Sequence, residues 1–205
     1  MTTLWLVRHG ETDWNVQRRF QGTSDQPLNA NGEAQASSLA PRLAEMTFDA
    51  VYASDLIRVQ RTAELALSQR SNMTIRNDKR LRELFFGTWE GMTIDDIRET
   101  FPDEYALWSE DGEQNVHGGE RTSDAVARLN AFIADIRDQY DKGDQILIFA
   151  HGGTLAILTC ILLGTDPDQW WKYRFKNCSL SELIIVSRGT VLSRLNDMAH
   201  FDSLA

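Results

Sequence analysis

Two short apolar runs constrain this chain more than anything else in it. Leu4 to Val7 (LWLV) and Gln145 to Ala150 (QILIFA) each have the length and the branched or aromatic content of a buried strand. Each stops on a histidine followed by glycine: Arg8-His9-Gly10 in the first case, His151-Gly152-Gly153 in the second. Strands apolar on both faces belong in a parallel sheet covered on both sides. The carboxyl ends of such strands are where open α/β sheets bind ligands. If the two strands are parallel neighbours, both imidazoles stand over one crevice. Gly10 allows a tight turn and a close backbone approach there.

The remaining pattern is that of one α/β domain over residues 1–205. After a polar loop from Val16 to Pro27, Asn29 is placed to cap a helix running to about Ala44, with Ala34, Leu39 and Leu43 inward. Pro41 should kink or split it. Phe48 to Ala53 reads as a strand, and Ser54 as the cap of a helix from Asp55 to about Leu67. Met73 to Arg76 reads as a short strand. Between Leu81 and Glu120 periodicity is lost and aromatics accumulate, the character of an inserted cap, about 84–120. An amphipathic helix follows from Thr122 to Tyr140, with Val126, Leu129, Ile133 and Ile136 on one face. Beyond the second His-Gly strand lie a buried helix, Thr154 to Leu163, and a shorter one after Pro167. Leu180 to Val186 and Val191 to Leu195, joined at Arg188-Gly189, make a hairpin, so one strand runs antiparallel.

Chemistry-bearing residues fall at matching places. Helical side chains lean towards the helix N-terminus, so Arg58 reaches back to the sheet edge that carries His9 and His151. Glu83 arrives where the cap begins. Two arginines, two histidines and one carboxylate suit phosphoryl transfer, in which catalysis is mostly positioning and cationic stabilisation. Arg8 and Arg58 offer planar forks for phosphate oxygens. His9 is placed to attack phosphorus, His151 to add a donor and positive charge, and Glu83 to protonate the departing oxygen.

In these residues the chain resembles the histidine phosphatase superfamily, the group that includes cofactor-dependent phosphoglycerate mutases. The likeness rests on Arg8-His9-Gly10-Glu11-Thr12 with Asn15, then Ser54-Asp55-Leu56 with Arg58 and Thr62-Ala63. It continues through Glu83 ahead of Phe86-Gly87 and Trp89-Glu90-Gly91, and ends on His151-Gly152-Gly153. The resemblance implies a three-layer α/β/α fold with a mixed, mostly parallel six-stranded sheet. It implies His9 as the phosphorylated nucleophile, Glu83 as proton donor, and Arg8, Arg58 and His151 as the phosphate pocket. It also implies Asn15, Gln21, Gly22 and Gly152 as substrate contacts, no metal or other cofactor, and a homodimer.

Composition narrows the partner. A net charge of −9 argues against nucleic acid or an anionic membrane. Cys160 and Cys178 form no CxxC pair and fit a reducing, cytoplasmic setting. The first apolar run ends at Arg8, too short for a signal peptide, and Leu155 to Leu163 is too short to span a bilayer. The expected ligand is a small phosphorylated metabolite. From Leu84 to Glu120 the acidic residues far outnumber the basic ones, which should disfavour a second anionic group on the substrate. Hydrolysis of a phosphomonoester is therefore expected ahead of phosphoglycerate mutase-type transfer. His117 or Arg121, should either face the pocket, would weaken that preference.

Overall fold

The computed structural model describes residues 1–71, 73–111, 118–141 and 143–204. Six strands form one sheet: β1 (Thr2–Arg8), β2 (Ala50–Ala53), β3 (Ile75–Asn77), β4 (Gln145–Ala150), β5 (Leu180–Val186) and β6 (Gly189–Asp197). Their order is β3-β2-β4-β1-β5-β6. β1, β2, β3 and β4 are mutually parallel and β5 alone runs against its two neighbours, β1 and β6.

The alternation of side chains explains why the central strands are apolar throughout. Leu4 and Leu6 of β1, with Ile146, Ile148 and Ala150 of β4, face one core. Trp5 and Val7, with Leu147 and Phe149, face the other. The second core is closed by α2 (Ala30–Ala44) and α3 (Ile57–Ala66), the first by α6 (Thr122–Gln139), α7 (Gly152–Leu163) and the cap. This is the expected three-layer sandwich. The chain leaves β1 towards one face and β4 towards the other, so the crevice between their ends is a topological switch point.

Local expectations shift in several places. Ala36, not Ala34, joins Leu39 and Leu43 on the inner side of α2, because 36, 39 and 43 share a helical face. Pro41 does not split α2, which continues to Ala44. The third strand begins at Ile75 rather than Met73. Ser54 is not the cap of α3: the helix starts at Ile57 with Leu56 as its uncapped N-terminus. The Ser54 hydroxyl is instead paired with His151, and Asp55 with Arg82 (2.6 and 2.7 Å).

The cap is more regular than its sequence suggests. It contains α4 (Ile94–Thr100), whose N-terminus carries a reciprocal Thr93–Asp96 capping box, and α5 (Pro102–Asp111). Phe20, Phe86, Trp89 and Trp108 pack edge to face at 4.9–6.0 Å, with Trp89 fully buried. Phe85 points outward. His117 lies outside the described residues. Among those described, no helix is long and apolar enough to cross a membrane.

Candidate active site

The register of β1 against β4 sets the geometry. Arg8 lies opposite Ala150, so His9 and His151 follow side by side, and the His9 N–H extends the ladder to the Ala150 carbonyl at 3.0 Å. The two imidazole centroids are 5.3 Å apart with planes at 62°. A Cβ on Gly10 would collide with the Gly32 carbonyl, so the first His-Gly pair needs its glycine for close approach.

His9 is held in a defined protonation state. Its Nδ1 lies 2.7 Å from the Gly10 carbonyl, an acceptor, so Nδ1 carries the hydrogen and Nε2 keeps a lone pair in the neutral ring. Burial pulls its pKa well below the ordinary histidine value, and the charges of Arg58 and Arg8 add to that. His151 is lowered for the same reasons, burial first and then Arg58. Burial and the neighbouring guanidinium groups thus favour the neutral form of the second imidazole.

Arg58 comes from the first turn of α3. It is fully buried, yet its Nη1 donates to Ser24 O (2.9 Å) and Nη2 to Gly22 O (2.7 Å). Burial lowers it to about 10, with Glu83 and Asp25 opposing, so it remains charged at neutral pH. Arg8 Nη1 donates to Phe175 O at 2.8 Å. Each arginine keeps donors in reserve. Arg8 Nε, Arg58 Nε and His151 Nδ1 are buried without a partner among the described residues. Unpaired buried donors are costly, and several of them around one neutral imidazole form a seat for an anion.

Glu83 sits on the N-terminus of α7. Its carboxylate accepts from Thr154 N (2.9 Å), Gly153 N (3.1 Å), Leu84 N (3.1 Å) and Thr154 Oγ1 (3.2 Å). A Cβ on Gly153 would fall 2.8 Å from Glu83 Oε1 and 2.6 Å from Leu84 Cδ1. A methyl group at Gly153 would displace the ends of the Glu83 and Leu84 side chains, whereas one at Gly152 would meet Arg8 Cζ at an ordinary contact distance of 3.4 Å.

The other expected contacts have definite places. Asn15 Oδ1 closes a capping box with Thr12 (3.1 Å to Thr12 N) on a single turn, α1 (Asp13–Val16). Gln21 is buried with its Oε1 unpartnered. Gly22 reaches Arg58 through its carbonyl.

A cavity of about 870 Å³ opens beside this centre, bordered by Arg8, Glu83, Gly152 and Gly153. His9, 3% exposed, and His151, fully buried, adjoin that border through their sequence neighbours and do not line the cavity. The far wall is Asp166, Asp168, Trp170, Trp171, Tyr173 and Arg174, with Phe86 and Trp108 from the cap. Among the described residues, no acidic side chain of the cap lines it, nor does Arg121; Asp166 and Asp168 do.

Sequence reasoning missed Ser54 as the partner of His151 (Nε2 to Oγ, 2.9 Å) and the whole wall after Pro167. The Trp170-Trp171 pair and Tyr173, in a short helix with few apolar neighbours in sequence, were the available signal.

The family description "Histidine phosphatase superfamily (branch 1)" matches residues 4–198. The chain belongs to that superfamily. A probable phosphoglycerate mutase of Escherichia coli is 36% identical over 100% of this chain and 97% of its own length. Phosphoserine phosphatase 1 of Hydrogenobacter thermophilus is 30% identical over 98% and 94%. Among solved structures, that of a putative α-ribazole-5′-P phosphatase from Escherichia coli superposes with a TM-score of 0.89 at 32% identity, covering 97% of each chain.

Proposed function

We propose that this histidine phosphatase hydrolyses small phosphomonoesters through a phosphohistidine on His9. The observation that carries the reading is the set of unpartnered buried nitrogens, Nε of Arg8 and Arg58 and Nδ1 of His151, beside an imidazole whose Nδ1 hydrogen is on Gly10. The phosphoryl group occupies the space those donors face. His9 Nε2 attacks phosphorus; the P–O bond to the alcohol breaks, and protonated Glu83 supplies the proton the alkoxide needs. Water then attacks the phosphohistidine while the Glu83 carboxylate takes its proton, releasing phosphate and restoring His9.

Phosphoglycerate mutase-type transfer is the second reading, favoured by the 36% identity to the mutase-named relative. It requires the protein to grip a doubly anionic substrate in two orientations. Beyond Arg8, the described residues of the cavity wall include Arg174 as their one further cation, with Asp166 and Asp168 on the same wall. That balance supports hydrolysis.

Purified protein should release phosphate from p-nitrophenyl phosphate, with activity unchanged by a strong chelator. No group of three or more His, Cys, Asp or Glu placed to hold a metal ion is present among the described residues. Interconversion of 3- and 2-phosphoglycerate dependent on a bisphosphate, faster than hydrolysis, would overturn the assignment.

A further inference from the structure

Glu90 does not line the cavity and yet is connected to Arg58, the fully buried cation of the site. Oε1 accepts from Thr23 N (2.8 Å) and Phe86 N (3.2 Å); Oε2 accepts from Ser24 N (2.9 Å) and Ser24 Oγ (2.5 Å). One cap carboxylate therefore holds both N–H groups of the Thr23-Ser24 turn. The same turn presents the carbonyls of Gly22 and Ser24 to the Arg58 guanidinium.

The link is a single peptide unit. Thr23 N–H and Gly22 C=O belong to one planar trans peptide, so they point in opposite directions. Fixing the N–H on Glu90 Oε1 turns the carbonyl towards Arg58 Nη2, which lies 2.7 Å from it. A carboxylate, a peptide dipole and a guanidinium are then aligned in sequence, each polarising the next. Gly22 is shaped to this contact: its φ is +52°, and a Cβ there would collide with Glu90 Oε1. Glu90 also helps keep the buried Arg58 charged, acting against the desolvation that lowers it.

We infer that Glu90 is a positioning residue for phosphate binding, which fixes the Arg58 fork through the Gly22-Thr23 peptide. This rests on the reading that Arg58 binds the phosphoryl group. Arg58 has two of its three nitrogens tied to that turn, so the position of its third, Nε, and of the free N–H on each Nη depends on where the turn lies. Glu90 thereby couples the cap, from which it comes, to the anion seat.

The test is a double-mutant cycle. Glu90→Ala should lower kcat/KM for p-nitrophenyl phosphate, and weaken inorganic phosphate binding measured by calorimetry, by about ten- to a hundredfold, the size of a lost charge-assisted hydrogen bond. Glu90→Gln, which retains one acceptor for Thr23 N–H, should recover part of the loss. In an Arg58→Ala background, Glu90→Ala should cost less than about threefold more, because the group it positions is gone. Should Glu90→Ala fail to fold, the cycle is run with Glu90→Gln and with Gly22→Ala, which presses on the same contact. Losses that multiply in the Arg58→Ala background would overturn the inference, as would wild-type phosphate affinity in all Glu90 and Gly22 variants. If the wild type binds phosphate without hydrolysing any ester, the hydrolase reading fails and the phosphate affinities still decide the role of Glu90.

Discussion

The floor and the far wall of this site are built by different physics. The floor is a consequence of sheet register: β1 and β4 are hydrogen-bonded in parallel, so two residues distant in sequence stand 5.3 Å apart ring to ring. His9 and His151 are buried there, and a Cβ on Gly10 would collide with the Gly32 carbonyl, so close backbone packing fixes the first of the two strand ends. The wall from Asp166 to Phe175 is a 3-10 segment (Pro167–Lys172) and an extended stretch, with Trp171 55% exposed. Trp170, Tyr173 and Phe175 pack on the core while Trp171 is turned to solvent. On the proposed reading, this difference separates reaction chemistry, at the close-packed floor, from selection of the alcohol, at the more exposed wall.

That contrast is open to test by substitution. On the floor, Glu83→Gln should reduce turnover of alkyl phosphates by roughly 10² to 10⁴, the usual worth of general acid–base catalysis. Its effect on p-nitrophenyl phosphate, whose leaving group needs little protonation, should be far smaller. Equal losses on both would mean that Glu83 is not the acid. On the wall, Trp170→Ala should change KM for ring-bearing esters by no more than about tenfold and leave kcat for p-nitrophenyl phosphate near wild type, since removed packing acts on binding. A large fall in kcat would erase the distinction between wall and floor.

The smallest effect is on stability. His9 and His151 are both buried, and burial lowers the pKa of each well below 6.5. Above about pH 6.5 the imidazoles are neutral in folded and unfolded chains alike, and no penalty arises. Below it the unfolded chain takes up protons that the folded one refuses, so stability falls by about 1.4 kcal/mol per pH unit for each imidazole until the folded pKa is reached. The melting temperature should decline between pH 6.5 and 5, and replacing His151 with Gln should flatten the decline. A melting temperature flat across that window would show that the two imidazoles titrate normally.

How much of this was legible in the sequence follows the same division. His9, His151 and Arg58 could be read because strand ends and helix first turns are local patterns, and the apolar runs of β1 and β4 advertised burial on both faces. Ser54 could not, because a serine before a helix satisfies the rule for a cap as well as it satisfies a histidine 97 positions away. Glu90 could be read only as part of the Trp89-Glu90-Gly91 motif, since sequence does not reveal which carboxylate turns inward to backbone N–H groups. Trp170 and Trp171 lie in a segment without period, where neither burial nor facing direction can be deduced.

The central claim is that His9 carries the phosphoryl group. The direct measurement is rapid denaturation of the enzyme during turnover of a ³²P-labelled phosphomonoester, followed by peptide mapping of acid-labile, base-stable label. The label is expected on the peptide containing His9 and should be lost in His9→Ala. Full turnover with no label at His9, or wild-type activity in His9→Ala, would contradict it.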